Sequence, residues 1–326
     1  MNNNRQFGVG FLFRYWINPP ILLIIGVLIL SCSSDKIANM NQPEIEFNYD
    51  DYDIQQLDLS ERWFDYMYPI NTDPAFPHDE NGIILFQYLD QYYYHPYQIA
   101  NQGLWYLAGY QQTSDTVYLD LVTLYSDKLL EIGERSDDGI YFPYTFNYRL
   151  HGGAQNGVML APWYSGFAQG FALSFFSRIY ETTGDPFYKA AADSVFRTFC
   201  NFDRESEYTF AMVDPEGYYW AEEYPFNPPT HVINGFTFVV IALGDYYAIE
   251  NSETCELLIK GSCTTLAAYF DEFRNPGGIS YYCIYHKTPL LDYHDLVIKE
   301  LRYITRIAGD SLFSDFADTL FADYQP

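Results

Sequence analysis

Apolar residues recur at three- and four-residue steps through most of the chain after residue 96, the spacing of one buried helix face. A helix through residues 99–110 is predicted to precede a second helix, whose apolar face includes Tyr118, Leu121, Val122, Tyr125, Leu129 and Ile132. Two such helices separated by a short joint predict a helix pair.

The next pair has a clear joint in the run ETTGDPFYK. Gly184 suits a helix end, Asp185 suits a helix N-cap, and Pro186 suits the first turn of the following helix. The apolar face before this joint is Phe167, Phe171, Phe175 and Ile179, and the face after it is Ala192, Val195, Phe196 and Phe199. The pattern predicts a tight antiparallel hairpin.

Four segments between these helix pairs share one pattern, a turn ending in Gly followed by a short extended aromatic run. Their glycines are Gly82, Gly139, Gly217 and Gly278. Each interval is long enough for two helices. The sequence therefore predicts an all-α fold, an α/α toroid that is an incomplete barrel of helical hairpins with short extended rim segments at one end. An open helical array is the alternative.

The N-terminus has the pattern of a lipoprotein signal peptide over residues 1–32. Arginines precede a ten-residue apolar run at 21–30, which is followed by Ser31 and Cys32. Cleavage and lipid attachment at Cys32 would leave a polar tether, residues 33–50, and a catalytic domain, residues 51–326. We expect an exported protein that is lipid-anchored in a bacterial cell envelope, facing the periplasm or the cell surface. An uncleaved signal anchor is the alternative.

Amino-acid composition limits the classes of molecule that the protein is expected to bind. The chain is 48% hydrophobic and 18% charged, which is typical of a globular domain, and its net charge is −26. Such acidity argues against nucleic acid as a partner, and against membrane contact other than through the lipid. The 33 tyrosines offer flat apolar faces with polar tips, which suit a carbohydrate cleft. Homodimerisation stays open.

Cysteine spacing gives no indication of a metal. The sequence contains no CxxC motif and no His cluster with metal-ligand spacing, so we predict no metal site. Cys255 and Cys263 are eight residues apart on one predicted helix, too far for a disulfide. Buried free thiols are expected, with a bridge between more distant elements left open.

The predicted rim also carries groups that can exchange protons. Glu223 and Tyr224 lie on the third rim segment, Tyr281 lies on the fourth, and Tyr293 begins the helix after it. A glutamate can take a proton near neutral pH, whereas a tyrosine ordinarily donates one. Two such groups on opposite sides of a carbon could remove a proton from one face and return one to the other.

Five runs resemble the C-terminal catalytic domain of D-glucuronyl C5-epimerases. They are YHPYQIANQGL, WYSGFAQGFALS, EYPFNPPTHVINGF, GGISYY and LDYH, in family order. The resemblance implies an α/α toroid that acts on glucuronic acid within a heparan-type or related polysaccharide, with no cofactor. It makes Glu223, Tyr224, Tyr281 and Tyr293 the catalytic candidates. Glu223 and Tyr293 would exchange the proton, while Tyr224 and Tyr281 hold the substrate carboxylate.

Residues within or near these motifs are candidates for substrate binding, and a cleft for polyuronate needs local cations. The candidates are Arg149, His151, Trp163, Tyr164, Gln169, Asn234 and His294. Gln169 and Asn234 fit either the core or the cleft wall. The chain departs from the family in two respects. It has no arginine shortly after Tyr281, where His286 or Lys287 is the nearest substitute, and it lacks the extra β domains of larger members.

Three other functions remain open at this stage. A polysaccharide lyase begins with the same proton loss at C5, and a glycoside hydrolase needs two carboxyl groups, for which Glu223 and Asp292 are the only pair to nominate. A non-catalytic glycan-binding lipoprotein would use the aromatic residues for stacking alone.

Overall fold

The computed structural model of the protein describes residues 46–63, 76–137, 139–153, 157–203 and 205–325. The predicted signal peptide, its lipidation site Cys32 and residues 33–45 lie outside the described residues. Within the described ranges, no helix is both long enough and apolar enough to cross a membrane.

The described part of the chain is mainly helical. Four long helices each pair with the helix that follows along the chain: α1 with α2, α3 with α4, α5 with α6, and α8 with α9. The bounds are α1 Pro96–Thr113, α2 Val117–Ile132, α3 Gly166–Thr183, α4 Pro186–Thr198, α5 Ile233–Ile249, α6 Glu253–Ala268, α7 Phe270–Phe273, α8 Leu291–Ala308 and α9 Leu312–Asp323. Short 3₁₀ helices cover Leu59–Glu61 and Leu150–Gly153.

The first helices of the four pairs form an inner layer. Helix α1 packs on α3, α3 packs on α5, and α5 packs on α8, while the second helix of each pair lies outside. Helix α5 is buried nearly all round, as its almost continuous apolar sequence INGFTFVVIAL requires. The architecture is the predicted all-α toroid of helical hairpins.

The predicted joint between α3 and α4 is confirmed in detail. Gly184 ends α3 in the left-handed conformation, with φ of 72°. Asp185 caps α4, because its carboxylate accepts a hydrogen bond from the Phe187 backbone N–H, and Pro186 occupies the first turn. Local residue chemistry therefore fixes this hairpin.

Short strands form the rim segments that precede α1, α3 and α5, whereas the described segment before α8 has only isolated β-bridges. The bounds are β1 Phe86–Tyr88, β2 Gln91–Tyr93, β3 Glu134–Ser136, β4 Gly139–Tyr141, β5 Pro143–Tyr144, β6 Trp163–Tyr164, β7 Ala211–Val213 and β8 Tyr219–Ala221. They pair as the antiparallel ribbons β1–β2, β3–β4, β5–β6 and β7–β8. Gly82, Gly139 and Gly217 have positive φ as their turns require, whereas in the fourth segment Gly277, rather than Gly278, has it.

Residues 46–50, which the sequence assigned to the tether, pack on the helical domain. Phe47 contacts the rings of Phe202 and Tyr219, at centroid separations of 6.3 and 5.5 Å. The Asn48 backbone N–H donates to the Gly217 carbonyl, 2.7 Å away. An apolar residue among polar ones is enough to anchor this segment, so the folded domain begins before residue 51.

The described cysteines are free thiols, as expected. Cys255, Cys263 and Cys283 are buried, and Cys200 is half-buried. Cys255 and Cys263 both lie on α6.

Candidate active site

One cavity opens among the rim segments and has a volume of about 280 Å³. This is close to the lower end of the range for small-molecule sites, about 300–1,000 Å³, so it suits a unit the size of one sugar residue. Every rim region before α5 contributes to its wall, and so does the start of α8. Wall residues include Phe86, Tyr148, Trp163, Glu223, Tyr224 and Tyr293.

Two adjacent glutamates leave strand β8 in opposite directions. Glu222 turns away from the cavity, where its carboxylate accepts hydrogen bonds from the backbone N–H groups of Thr230 and His231. The His231 imidazole lies 2.6 Å from the same carboxylate. Glu223 faces the cavity instead, because successive side chains of an extended segment point to opposite sides. The pair of carboxylates therefore has one structural member and one member in the site.

Gly235 allows the start of α5 to approach Glu223 closely. A Cβ atom at Gly235 would lie 2.5 Å from Glu223 Oε2 and 2.8 Å from Glu223 Cβ. The run VING thus reflects a close approach between helix and carboxylate, and the glutamate is held between α5 and the rim.

Burial raises the pKa of Glu223 to about 7. The hydroxyls of Tyr224 and Tyr282 partly offset this effect, and the neighbouring charge of Glu222 adds to it. Only 7% of the side chain is exposed. A carboxyl group with a pKa near neutrality can accept a proton in one step and release it in another.

The hydroxyls of Tyr224 and Tyr282 bond to this carboxyl group, and Tyr293 lies close enough for its pKa to respond to the Glu223 charge. The Tyr282 hydroxyl donates a hydrogen bond to Glu223 Oε1 at 3.2 Å, and the rings of Tyr282 and Tyr293 lie 4.6 Å apart. Burial, followed by the Glu223 charge, raises the pKa of Tyr224, Tyr282 and Tyr293. These side chains are therefore neutral phenols at physiological pH and can donate hydrogen bonds or a proton.

Tyr281 does not reach the cavity, in contrast to the sequence-based assignment. Its hydroxyl bonds to Asn275 Oδ1 at 3.3 Å, and Lys287 lies over its ring. The fourth rim segment is extended here, so a shift of one residue reverses the direction of the side chain. The run ISYY offers two adjacent tyrosines, and the structure places the second of them, Tyr282, beside Glu223.

Several polar atoms in the cavity wall lack a hydrogen-bond partner among the described residues. They are His95 Nδ1, Gln98 Oε1, Glu223 Oε2 and Asn234 Oδ1. Burial lowers the pKa of His95 to about 3, so its imidazole is neutral. Buried polar atoms are ordinarily hydrogen-bonded, and four unpaired ones around one cavity indicate a polar ligand there.

Aromatic rings form the remainder of the wall. Tyr144 stacks on Trp163 at 3.9 Å, and Tyr148 stacks on Tyr224 at 5.3 Å. Trp163, predicted to bind substrate, lies in the cavity wall together with Asn234. A cavity with flat apolar faces and a few polar groups suits a sugar ring.

Three other predicted substrate contacts have structural roles. Tyr164 donates to Glu134. Gln169 is buried and bonds to Phe142 N, Ile140 O and Thr198 Oγ1. His294 is buried between Ser280 and the Tyr324 carbonyl. These side chains were predicted from motifs that carry both core and site residues, which spacing alone does not separate.

The predicted cations also lie outside the cavity wall. Arg149 and His151 are exposed and do not line the cavity. Lys287 pairs with Glu272 on the surface. Among the described residues that line the cavity, none is Lys or Arg. Asp292, the second carboxyl group nominated for a hydrolase, is exposed and does not line the cavity either.

Sequence reasoning missed several residues of the site. Tyr282, Tyr148 and Gln98 were not proposed, although Tyr282 and Gln98 lie inside recognised motifs. Tyr148 lies in the run YTFNYRL, whose alternation of aromatic residues indicates a strand-like rim segment with one buried face.

Comparison with known proteins identifies the family of the chain. The D-glucuronyl C5-epimerase C-terminus family matches residues 136–320. D-glucuronyl C5-epimerase of Caenorhabditis elegans is 27% identical over an alignment of 184 residues, and the match covers 51% of this chain and 29% of that protein. The chain therefore matches less than a third of the length of this relative.

The fold is also found among solved structures. Cellobiose 2-epimerase from Bacillus thermoamylovorans has a TM-score of 0.50 and 14% identity, with 76% of this chain and 66% of that chain covered. At this identity the likeness concerns the fold alone. The match over residues 136–320 includes Glu223, Tyr224, Tyr282 and Tyr293. The chain belongs to the D-glucuronyl C5-epimerase C-terminus family.

Proposed function

We propose that the protein is a cofactor-independent uronosyl C5-epimerase. It would convert D-glucuronosyl to L-iduronosyl residues in a heparan-like, heparosan-like or other uronic-acid polysaccharide by proton transfer at two faces of C5. The observation that carries the proposal is a buried glutamate with a pKa of about 7 in the wall of a sugar-sized cavity, with tyrosines that bond to its carboxyl group or line the same cavity.

The proposed reaction starts with Glu223 as base. Its carboxylate takes the C5 proton, and the electron pair of the broken C–H bond moves onto the substrate carboxylate as an enolate-like anion. The hydroxyls of Tyr224 and Tyr282 donate to the Glu223 carboxylate before the transfer; once Glu223 is protonated, they would turn to donate hydrogen bonds to the anion and stabilise it where charge develops. Tyr293 then donates its proton to the opposite face of C5, and exchange with solvent restores the tyrosine and the glutamate.

The ionisation of these groups favours this direction. Glu223 with a pKa of about 7 is substantially ionised near neutral pH, so a base is available. The raised pKa of Tyr293 keeps its proton in place until the enolate forms. Removal of the proton by Tyr293 would require a tyrosinate in the same cavity as the Glu223 charge, which costs more.

Hydrogen exchange at carbon tests the proposal. The protein is incubated in heavy water with a glucuronic-acid polymer, heparosan first. We expect deuterium at C5 and the appearance of iduronic acid with no change in chain length. A lyase would instead produce unsaturated ends that absorb in the ultraviolet, a hydrolase would shorten the chains without exchange, and a binding protein would do none of these.

Matched tyrosine variants assign the roles. Tyr293→Phe removes one oxygen at the cavity mouth and should reduce exchange by roughly 10²-fold or more, the usual contribution of an acid or base. Tyr285→Phe alters an exposed tyrosine outside the cavity and should leave exchange unchanged. Equal exchange by both variants would refute the role of Tyr293.

We also propose that the mature protein is anchored through lipid on Cys32, in keeping with the signal-peptide pattern. A Cys32→Ser variant should then move from the membrane fraction to the soluble fraction. Retention in the membrane fraction would contradict lipid anchoring.

A further inference from the structure

The Cys283 thiol lies between two histidine side chains. His286 is three residues later in the chain, and His151 is 132 residues earlier. Cys283 Sγ is 3.0 Å from His286 Nδ1 and 3.5 Å from His151 Nε2. All three of these atoms lie within 4.8 Å of one another. A thiol and two imidazoles are the ligand types that a zinc-class ion prefers.

The spacing is close to that of a tetrahedral site. Zn–S bonds of about 2.3 Å and Zn–N bonds of about 2.0 Å at tetrahedral angles put S and N about 3.5 Å apart, and two N atoms about 3.3 Å apart. The Cys283–His151 distance agrees with this value, and the Cys283–His286 distance is shorter by about half an ångström. The two imidazole nitrogens lie within 4.8 Å of each other, and ion binding would set them about 3.3 Å apart.

The backbone at His151 is a second observation. His151 has φ of 48°, the left-handed conformation that residues other than glycine seldom adopt. Such residues persist where their surroundings fix them, often at ligand sites. Here the conformation accompanies an imidazole directed at Cys283, while the ring itself remains exposed.

We propose that Cys283, His286 and His151 bind a divalent transition-metal ion of the zinc class. Cys283 supplies Sγ, His286 supplies Nδ1 and His151 supplies Nε2. The exposure of His151 leaves the fourth position open to water or to an anionic ligand, as in zinc sites with three protein ligands.

This site adjoins the candidate active site. Cys283 directly follows Tyr282, and the His151 ring lies 5.8 Å from the Tyr282 ring. An ion bound here would join the loop of His151 to the segment that places the Tyr282 hydroxyl on Glu223. Metal binding would therefore hold the segment whose Tyr282 positions Glu223, without taking part in the proton transfer.

The sequence concealed this site. Cys283-x-x-His286 provides only two ligands, and His151 is 132 positions from Cys283. The prediction that no metal is bound rested on spacing along the chain, which cannot show a ligand brought in by the fold.

Cobalt binding tests the proposal on the full chain after its metals are removed with a chelator. Co²⁺ bound by a thiolate gives an intense near-ultraviolet charge-transfer band, and Zn²⁺ should abolish this band by competition. We expect one Co²⁺ per chain. Cys283→Ser should remove the band, and His286→Ala or His151→Ala should weaken binding by at least about tenfold, whereas Cys200→Ser, at a half-buried cysteine outside the cluster, should leave it intact.

One of these variants separates loss of metal binding from loss of the folded structure. His151 is exposed, so His151→Ala should retain the wild-type circular dichroism spectrum while it loses affinity. No charge-transfer band in the wild type would overturn the proposal. A band that persists in Cys283→Ser, or affinity unchanged in both histidine variants, would do so too.

Discussion

Glu223→Gln should stabilise the protein at alkaline pH while it abolishes C5 exchange. The pKa of Glu223 is raised from 4.5 to about 7, chiefly by burial. A carboxyl group with a higher pKa in the folded state binds more protons when folded, so stability is lost as pH rises through this window. Glutamine keeps the shape of the side chain and stays neutral, so the variant escapes the loss.

The magnitude follows from the two pKa values. A shift of about 2.5 units corresponds to roughly 3 kcal/mol of unfolding free energy, of which about 2.5 kcal/mol develops between pH 5 and pH 8. Between these two pH values, the unfolding free energy of Glu223→Gln should therefore rise by about 2.5 kcal/mol relative to that of wild type. Other titrating groups contribute to both proteins alike and largely cancel in the difference.

Urea denaturation of both proteins at about pH 5 and about pH 8 measures this difference. Glu222→Gln is the matched control. Its carboxylate accepts hydrogen bonds from Thr230 and His231, so its loss should destabilise at both pH values. A difference between Glu223→Gln and wild type that does not change with pH would refute the inference that Glu223 is desolvated. The kcat/KM profile of wild type should also show an acid limb near pH 7.

Three further predictions concern neighbours of the site and the core. Tyr282→Phe should lower exchange by roughly 10²-fold, and it should shift the acid limb of the kcat/KM profile to higher pH because Glu223 loses a hydrogen bond. Tyr281→Phe is the control and should behave like wild type, so equal exchange rates in the two variants would contradict the placement of Tyr282. Gly235→Ala should cost about 1–3 kcal/mol by urea denaturation and reduce exchange, since its methyl group overlaps Glu223, and unchanged values would contradict this contact. Asp245→Asn should destabilise by about 3–5 kcal/mol in the same assay, because it removes the carboxylate charge that pairs with the buried Arg178 guanidinium. A loss below about 1 kcal/mol would contradict this contribution of the ion pair.

The sequence alone predicted the fold well because each helical hairpin is determined by residues that are close together in the chain. Gly184, Asp185 and Pro186 each encode a backbone conformation, and the apolar stripes identify the faces to be buried. The common end of the rim segments follows from the alternation of outer and inner helices. The fourth rim turn was misplaced by one residue, since Gly277 and Gly278 are adjacent and either could supply positive φ.

The site was predicted only in part because motifs do not give side-chain direction. Glu223, Tyr224 and Tyr293 reach the cavity, and Tyr281 does not. Whether Tyr281 or Tyr282 faces inward depends on the register of an extended segment, which is set by the bridge from Cys283 to Val232. Contacts across more than a hundred residues, such as His151 with Cys283, have no counterpart in local spacing.

The neutral wall of the cavity bears on how the proposed reaction is driven. Among the described lining residues no Lys or Arg faces Glu223, and the His95 imidazole is neutral because burial lowers its pKa. A bound uronate must then be held by phenol and amide groups, and its charge opposes that of the Glu223 carboxylate. Transfer of the C5 proton neutralises Glu223 and leaves the negative charge on the enolate. The hydroxyls of Tyr224 and Tyr282 can then donate hydrogen bonds to the enolate oxygens. A strong cation would stabilise the uronate before reaction as well as during it, whereas hydrogen-bond donors that strengthen as charge develops favour the transition state. A cation-free wall is therefore compatible with an acidic protein acting on an acidic polymer.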